Sequence, residues 1–207
     1  MTRFLLVRHG ITDFNSAKRL AGYSDVELNT AGRQQIDLLR DRLAQENIDA
    51  VYSSDLKRTM VAAQVISSPH KLEIVTCPEL REMNYGQAEG LTFAEIGLLY
   101  PELAKSIESV SLKLRFPGGE SFAEFMERVN RFLDKVGGDE TAKTILVVSH
   151  AGTLRLLMCR LLGIAPEHYW QFRIDNASLS TIETYPRGAV MSLFNDTSHL
   201  RERKEQA

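Results

Sequence analysis

Phe4-Leu5-Leu6-Val7-Arg8-His9-Gly10 is the stretch from which the fold can be read. Leu5, Leu6 and Val7 are what a buried parallel strand needs, because helices on both faces of its sheet leave no solvent side for polar residues. Arg8 and His9 cannot continue inside such a sheet. The strand has to stop there, at an edge of the sheet, and deliver a cation and an imidazole to it. Gly10 lets the chain turn sharply or approach a ligand closely. An Arg–His pair at a strand end can bind a phosphoryl group, and the rest of the chain can be read by what it adds to that place.

Working outward, residues 11–28 are polar and aperiodic, a long loop of the kind that often carries function. Asn29-Thr30 caps a helix to about Gln45, with Ile36, Leu39 and Leu43 on one stripe. Residues 49–53 read as a second strand. Ser54 is a good N-cap for a helix from Asp55 to about Ser67, and Leu72 to Thr76 is a third strand. Thr92-Phe93-Ala94-Glu95 and Ser121-Phe122-Ala123-Glu124 both have the form of a capping box. The second opens a helix whose Phe122, Phe125, Met126, Val129, Phe132, Leu133 and Val136 fall at helical spacing. Gly137-Gly138 ends it. Ile145-Leu146-Val147-Val148 is the strongest strand signal, followed by His150-Ala151-Gly152 and a nearly all-apolar helix through Leu162. A short helix follows Pro166. Residues 178–185 and 189–195 alternate around Pro186-Arg187-Gly188, a hairpin signal, and the charged tail from His199 is expected to fray. Strands alternating with helices predict an α/β fold, a mostly parallel sheet with helices on both faces. Residues 1–207 read as a single domain, with an insert at about 92–120 that caps one edge of the sheet.

The 207 residues are 43% hydrophobic and 25% charged, which is globular composition. A net charge of −2 without a basic stripe argues against nucleic acid or a membrane surface as a partner. No apolar run approaches the roughly 20 residues of a membrane span. The N-terminal apolar run is too short for a signal peptide, so a cytoplasmic protein is expected. Cys77 and Cys159 have no zinc or redox spacing and read as reduced, buried thiols.

In an open parallel sheet the ligand crevice lies beyond the carboxyl ends of the strands. Arg8 and His9 end the first strand, Arg58 lies in the first turn after the second, Glu82 follows the third, and His150 ends the Ile145–Val148 strand. Each residue alone has a structural explanation. Together they would bury two cations and two imidazoles at one edge, which is costly without an anionic ligand. Two histidines and a glutamate could bind zinc, but two arginines repel a dication, and neither HExxH nor CxxC is present. A P-loop and a serine nucleophile elbow are also missing. A metal-free phosphate site fits better, since guanidinium forks suit phosphoryl oxygens and a neutral imidazole is a competent nucleophile.

The residues lie in four stretches: Val7-Arg8-His9-Gly10-Ile11-Thr12-Asp13-Phe14-Asn15, Ser53-Ser54-Asp55-Leu56-Lys57-Arg58-Thr59, Leu80-Arg81-Glu82-Met83-Asn84-Tyr85-Gly86, and Val148-Ser149-His150-Ala151-Gly152. In this order and at these separations, the chain from Phe4 to about Phe194 resembles the histidine phosphatase superfamily, in its phosphoglycerate-mutase-like branch. The resemblance implies a three-layer α/β/α sandwich acting on a small-molecule phosphomonoester, with no metal and no cofactor. It implies that His9 is the nucleophile and becomes a phosphohistidine. Arg8, Arg58 and His150 would bind the phosphoryl oxygens, and Asn15 matches an asparagine that also touches phosphate. Glu82 matches the proton donor to the leaving oxygen, later the base for the attacking water.

Mutases of this branch carry a lysine beyond the Gly-Leu pair and paired arginines in a long insert. Here Gly90-Leu91 is followed by Thr92-Phe93-Ala94, and the insert offers only Lys105, Lys113 and Arg115. With few fixed cations in sight for a second anionic group, a phosphatase is favoured. Pro117-Gly118-Gly119-Glu120-Ser121 and Asp175-Asn176-Ala177-Ser178-Leu179-Ser180 look like α-ribazole phosphatase and broad-specificity members. A tryptophan those enzymes often have in the Gly86–Gly90 loop is missing, which leaves the substrate open. The apolar insert (Phe93, Ile96, Leu98, Leu99, Tyr100) could cover an apolar leaving group or simply pack onto the sheet. Three functions stay in view: a metal-independent phosphomonoesterase, a phosphoglycerate mutase, and a non-catalytic phosphate- or phosphoprotein-binding module. The C-terminal hairpin could be an edge that pairs with a second copy, giving a homodimer.

Overall fold

The computed structural model describes residues 1–109, 112–136 and 143–201. Along the chain run β1 (Thr2–Arg8), α1 (Asp13–Ser16), α2 (Thr30–Leu43), β2 (Ala50–Ser53), α3 (Lys57–Ser67), β3 (Ile74–Thr76), α4 (Phe93–Leu99), α5 (Pro101–Glu108), α6 (Phe122–Val136), β4 (Lys143–Ser149), α7 (Ala151–Leu162), β5 (Leu179–Tyr185) and β6 (Gly188–Asp196). The six strands form one sheet in the order β3-β2-β4-β1-β5-β6. The first four in that order are parallel, while β5 and β6 run antiparallel. This is the expected α/β architecture with a mostly parallel sheet.

The opening run is continuous because its two sides feed two different cores. Phe4 and Leu6 pack with α6 and α7, whereas Leu5 and Val7 pack with α2 and α3. The neighbouring strand β4 does the same, with Ile145 and Val147 on one side and Leu146 and Val148 on the other. A period of two therefore leaves no position for a polar residue. Burying Phe4, Leu5, Leu6 and Val7 contributes about 6–12 kcal/mol, an upper bound against an extended chain.

The same arrangement makes the crevice. From β1 the chain turns to α2 on one face, and from β4 it turns to α7 on the other. Adjacent strands whose continuations part in this way open a cleft at their carboxyl ends. His9 and His150 are the first residues beyond β1 and β4.

Most local expectations match the structure. Asn29 caps α2 by accepting from the Gly32 N–H, and Ile36, Leu39 and Leu43 are its buried stripe. Thr92/Glu95 and Ser121/Glu124 both form reciprocal capping boxes. Two local details differ. The 11–28 loop contains the one-turn helix α1, held by a capping box between Thr12 and Asn15. One turn is too short to show a period, and asparagine stands where Glu or Gln is usual. Ser54 does not cap α3 either, since that helix starts at Lys57 with Leu56 as its N-cap. The Lys57 N–H is taken at 2.7 Å by Asp25 from the distant loop, while Ser54 Oγ accepts the Leu56 N–H at 3.3 Å and also meets the site. Gly137-Gly138, read as the end of α6, and residues 202–207 of the tail lie outside the described residues.

The insert returns four side chains, Ile96, Leu103, Leu114 and Phe116, to the core on the α6–α7 face. Cys77 and Cys159 are buried and unpaired. Among the described residues no helix is long and apolar enough to cross a membrane.

Candidate active site

His9 is buried just past β1, its N–H bonded to the Ser149 carbonyl of β4 at 3.1 Å. Its ring Nδ1 lies 2.7 Å from the Gly10 carbonyl oxygen. A carbonyl can only accept, so Nδ1 carries the proton and Nε2 keeps its lone pair. Burial, followed by Arg58 and Arg8, holds this imidazole well below its ordinary pKa of 6.5. At neutral pH His9 is therefore an uncharged base with one free nitrogen.

His150 faces it edge to face, with ring centroids 5.1 Å apart. Arg58 donates from Nε to His150 Nδ1 at 3.2 Å, so the neutral ring carries its proton on Nε2, 3.0 Å from Ser54 Oγ. Burial comes first and Arg58 second in holding His150 well below the ordinary histidine value. Arg58 itself is almost fully buried, and its remaining nitrogens donate to the carbonyls of Ala21, Gly22 and Ser24. It thus backs the two histidines and pins the 21–24 loop over them.

Arg8 donates from Nη1 to the Ile174 carbonyl at 2.7 Å, but its buried Nε has no partner. Burial lowers its pKa to about 10, and nearby Arg155 adds to the shift; the group remains cationic at neutral pH. An orphaned, charged donor beside His9 is the signature of a site built for an anion.

Asn15 presents a fixed amide. Its Oδ1 accepts from the Thr12 N–H, the Thr12 hydroxyl and Asn176 Nδ2 at 3.0–3.1 Å, which leaves the NH2 group to face outward. Asn176 also donates to the His9 carbonyl, and the Ala177 N–H joins it there at 3.0 Å. Ala177 takes a left-handed φ of 53° to do so, a strained backbone of the kind that persists at functional sites.

Glu82 follows the Pro78–Leu80 turn. Its Oε2 accepts from the Gly152 N–H in the first turn of α7 and its Oε1 from the Met83 N–H, both at 3.0 Å. Helix amides at an N-terminus suit a carboxylate. A Cβ on Gly152 would stand 2.4 Å from Glu82 Oε1, so only glycine lets the carboxylate lie there.

Arg8, His9, Asn15 and Glu82 open onto one cavity of about 480 Å3. Arg58 and His150 sit behind this wall rather than in it. Lys18, Arg19, Tyr85, Arg155 and Asn176 also line the cavity, and the sequence assigns a role to none of them. Lys18 and Arg19 come from an aperiodic loop and leave no pattern to read. Arg155 had a usable signal: it interrupts an apolar helix four residues after Ala151, which also lines the cavity. The cations sought in the insert thus stand elsewhere. Of the insert's apolar residues Phe93 reaches the cavity, Ile96 is buried in the core, and Leu98 and Leu99 are exposed. Among the described residues no group of three or more His, Cys, Asp and Glu is placed to hold a metal ion.

A neutral histidine with a free Nε2, flanked by buried cations and a carboxylate at one cavity, can carry a phosphoryl group. The chain belongs to the histidine phosphatase superfamily (branch 1), whose sequence model matches residues 4–197. It is 36% identical over 202 residues to phosphoserine phosphatase 1 of Hydrogenobacter thermophilus, covering 98% of this chain and 96% of that protein. It is also 36% identical over 202 residues to phosphoglycerate mutase-like protein 4 of Arabidopsis thaliana, covering 96% and 86%. The α-ribazole phosphatase of Shigella flexneri superposes with a TM-score of 0.87 at 30% identity, covering 94% of this chain and 96% of that one. The protein is a phosphatase that acts on small-metabolite phosphates.

Proposed function

We propose that the protein hydrolyses its ester through a phosphohistidine on His9 Nε2, without a metal. The Nε2 lone pair attacks phosphorus and the bond to the leaving oxygen breaks, while Glu82 gives that oxygen a proton. Water then attacks the phosphohistidine, Glu82 takes the proton, and the N–P bond breaks to release phosphate. Arg8 and Asn15 hold the phosphoryl oxygens at the cavity wall, and the Arg58 cation with His150 backs His9 from behind it, so that most of the catalysis is positioning and charge stabilisation. The observation that carries this reading is the His9 ring, neutral and with Nε2 free, beside the unpartnered Nε of Arg8.

The preferred substrate is a small phosphomonoester with a second anionic group, a phosphorylated hydroxy or amino acid. Arg155 supports this: its Nε is fixed on the Phe172 carbonyl at 2.7 Å and it lines the cavity alongside Lys18. α-Ribazole 5'-phosphate is the second reading, favoured by Tyr85 and Phe93 on the same cavity. A cytoplasmic setting suits the unpaired Cys77 and Cys159. Phosphoserine, 3-phosphoglycerate and α-ribazole 5'-phosphate, assayed in chelator for released phosphate, separate these readings. Turnover of the acids above α-ribazole phosphate is expected; the reverse order overturns the second-anion reading. Isomerised phosphoglycerate without free phosphate would make the enzyme a mutase.

A further inference from the structure

Arg128 is the one charged residue among the buried side chains of α6. A guanidinium has five N–H donors, and here each finds an acceptor. Nε and Nη2 form a bidentate pair with the Glu120 carboxylate, both bonds at 2.8 Å. Nη2 also reaches the Glu82 carbonyl at 3.1 Å, and Nη1 the Glu79 and Arg81 carbonyls at 2.8 and 2.9 Å. Glu120 Oε2 in turn accepts the Asn84 N–H at 2.8 Å. The ion pair thus grips the irregular segment that carries Glu82 on both sides of that residue. Two more side chains complete the grip: Ser149 Oγ donates to the Leu80 carbonyl and Thr153 Oγ1 to that of Arg81, both at 2.7 Å. Four consecutive carbonyls, Glu79 to Glu82, are therefore captured by side chains of α6, β4 and α7.

Packing alone does not call for this. A buried ion pair gives little net stability over an apolar replacement, and Phe125 and Val129 already supply apolar contact on α6. What the guanidinium adds is direction, because its planar fork fixes several carbonyls at once. We infer that Arg128, together with Glu120, is a positioning residue for Glu82, holding the backbone of the proposed acid so that its carboxyl meets the leaving oxygen. Arg128 does not line the cavity and acts only through Glu82. The inference rests on the reading of Glu82 as the acid.

The test compares p-nitrophenyl phosphate, whose leaving group needs little protonation, with benzyl phosphate, whose alkoxide needs a great deal. Glu82→Gln is expected to lower kcat/KM, which covers the steps up to the phosphohistidine, by about 10²–10⁴-fold for benzyl phosphate and far less for p-nitrophenyl phosphate. Arg128→Lys keeps the charge but loses the fork, and is expected to lower the benzyl-to-nitrophenyl ratio of kcat/KM about tenfold or more, as misplacement of a catalytic group does. Glu120→Gln should move the ratio the same way, and decides the matter if the lysine variant does not fold. In the Glu82→Gln background neither change should move the ratio further. Equal losses of kcat/KM on both esters, or a ratio that still falls without Glu82, would overturn the positioning role. A Glu82→Gln enzyme with an unchanged ratio would instead remove the acid reading itself, and the inference with it.

Discussion

Gly152→Ala separates chemistry from stability at one atom. The added Cβ would lie 2.4 Å from Glu82 Oε1 and 3.2 Å from its Cδ, against ordinary contact of 3.4–4 Å. The difference, 3.4 − 2.4, means that the carboxylate must move by about 1 Å, and a flexible side chain can do so without disturbing the backbone. A shift of that size in a catalytic group costs about 10²-fold in rate, or about 2.7 kcal/mol of transition-state stabilisation. Helix propensity runs the other way, because alanine is favoured over glycine in a helix by about 0.8–1 kcal/mol. The variant should therefore melt at or above the wild-type temperature while losing about 10²-fold in kcat/KM on alkyl phosphates. Steady-state kinetics on p-nitrophenyl and benzyl phosphate, with a thermal melt, provide the assay. Unchanged kcat/KM on benzyl phosphate, or the same loss of kcat/KM on both esters, would refute the placement of Glu82 as the proton donor.

Two further outcomes follow from the same geometry. His9 and His150 are both buried with pKa values well below 6.5, so the unfolded chain binds more protons than the native one below that pH. Stability should be fully present above pH 6.5 and fall as the pH drops toward the native values, by up to about 1.4 kcal/mol per unit for each histidine. Denaturant titrations between pH 7.5 and 5 check this, and a flat profile would contradict neutral buried rings. Arg155→Leu should raise KM for phosphoserine or 3-phosphoglycerate by about 10–100-fold, the worth of a charged hydrogen bond. It should leave p-nitrophenyl phosphate unchanged, and equal effects on both would remove Arg155 from the substrate subsite.

Much of the architecture could be read because it repeats a single physical demand. Leu5 to Val7 and Ile145 to Val148 are apolar on successive positions because both sides of each strand are covered, and their polar successors, His9 and His150, mark the crevice. Long-range polar bonds have no such periodic trace. Ser54 reads locally as a helix cap, yet its hydroxyl meets a ring 96 positions away. The N-terminus of α3 is instead satisfied by Asp25, in a loop without pattern. Lys18 and Arg19 come to the cavity from the same loop. Arg128 lies within the periodic helix, and an apolar stripe gives no reason to expect a guanidinium in it.

The central claim is that His9 attacks through Nε2, since the Gly10 carbonyl holds the proton on Nδ1. Its most direct test is to quench the enzyme with alkali during turnover and to locate the phosphoryl group by mass spectrometry and 31P–15N NMR. The account predicts a phosphohistidine at Nε2 of His9, lost together with turnover in His9→Ala. Label on His150, label on Nδ1 of His9, or full turnover by His9→Ala would contradict it.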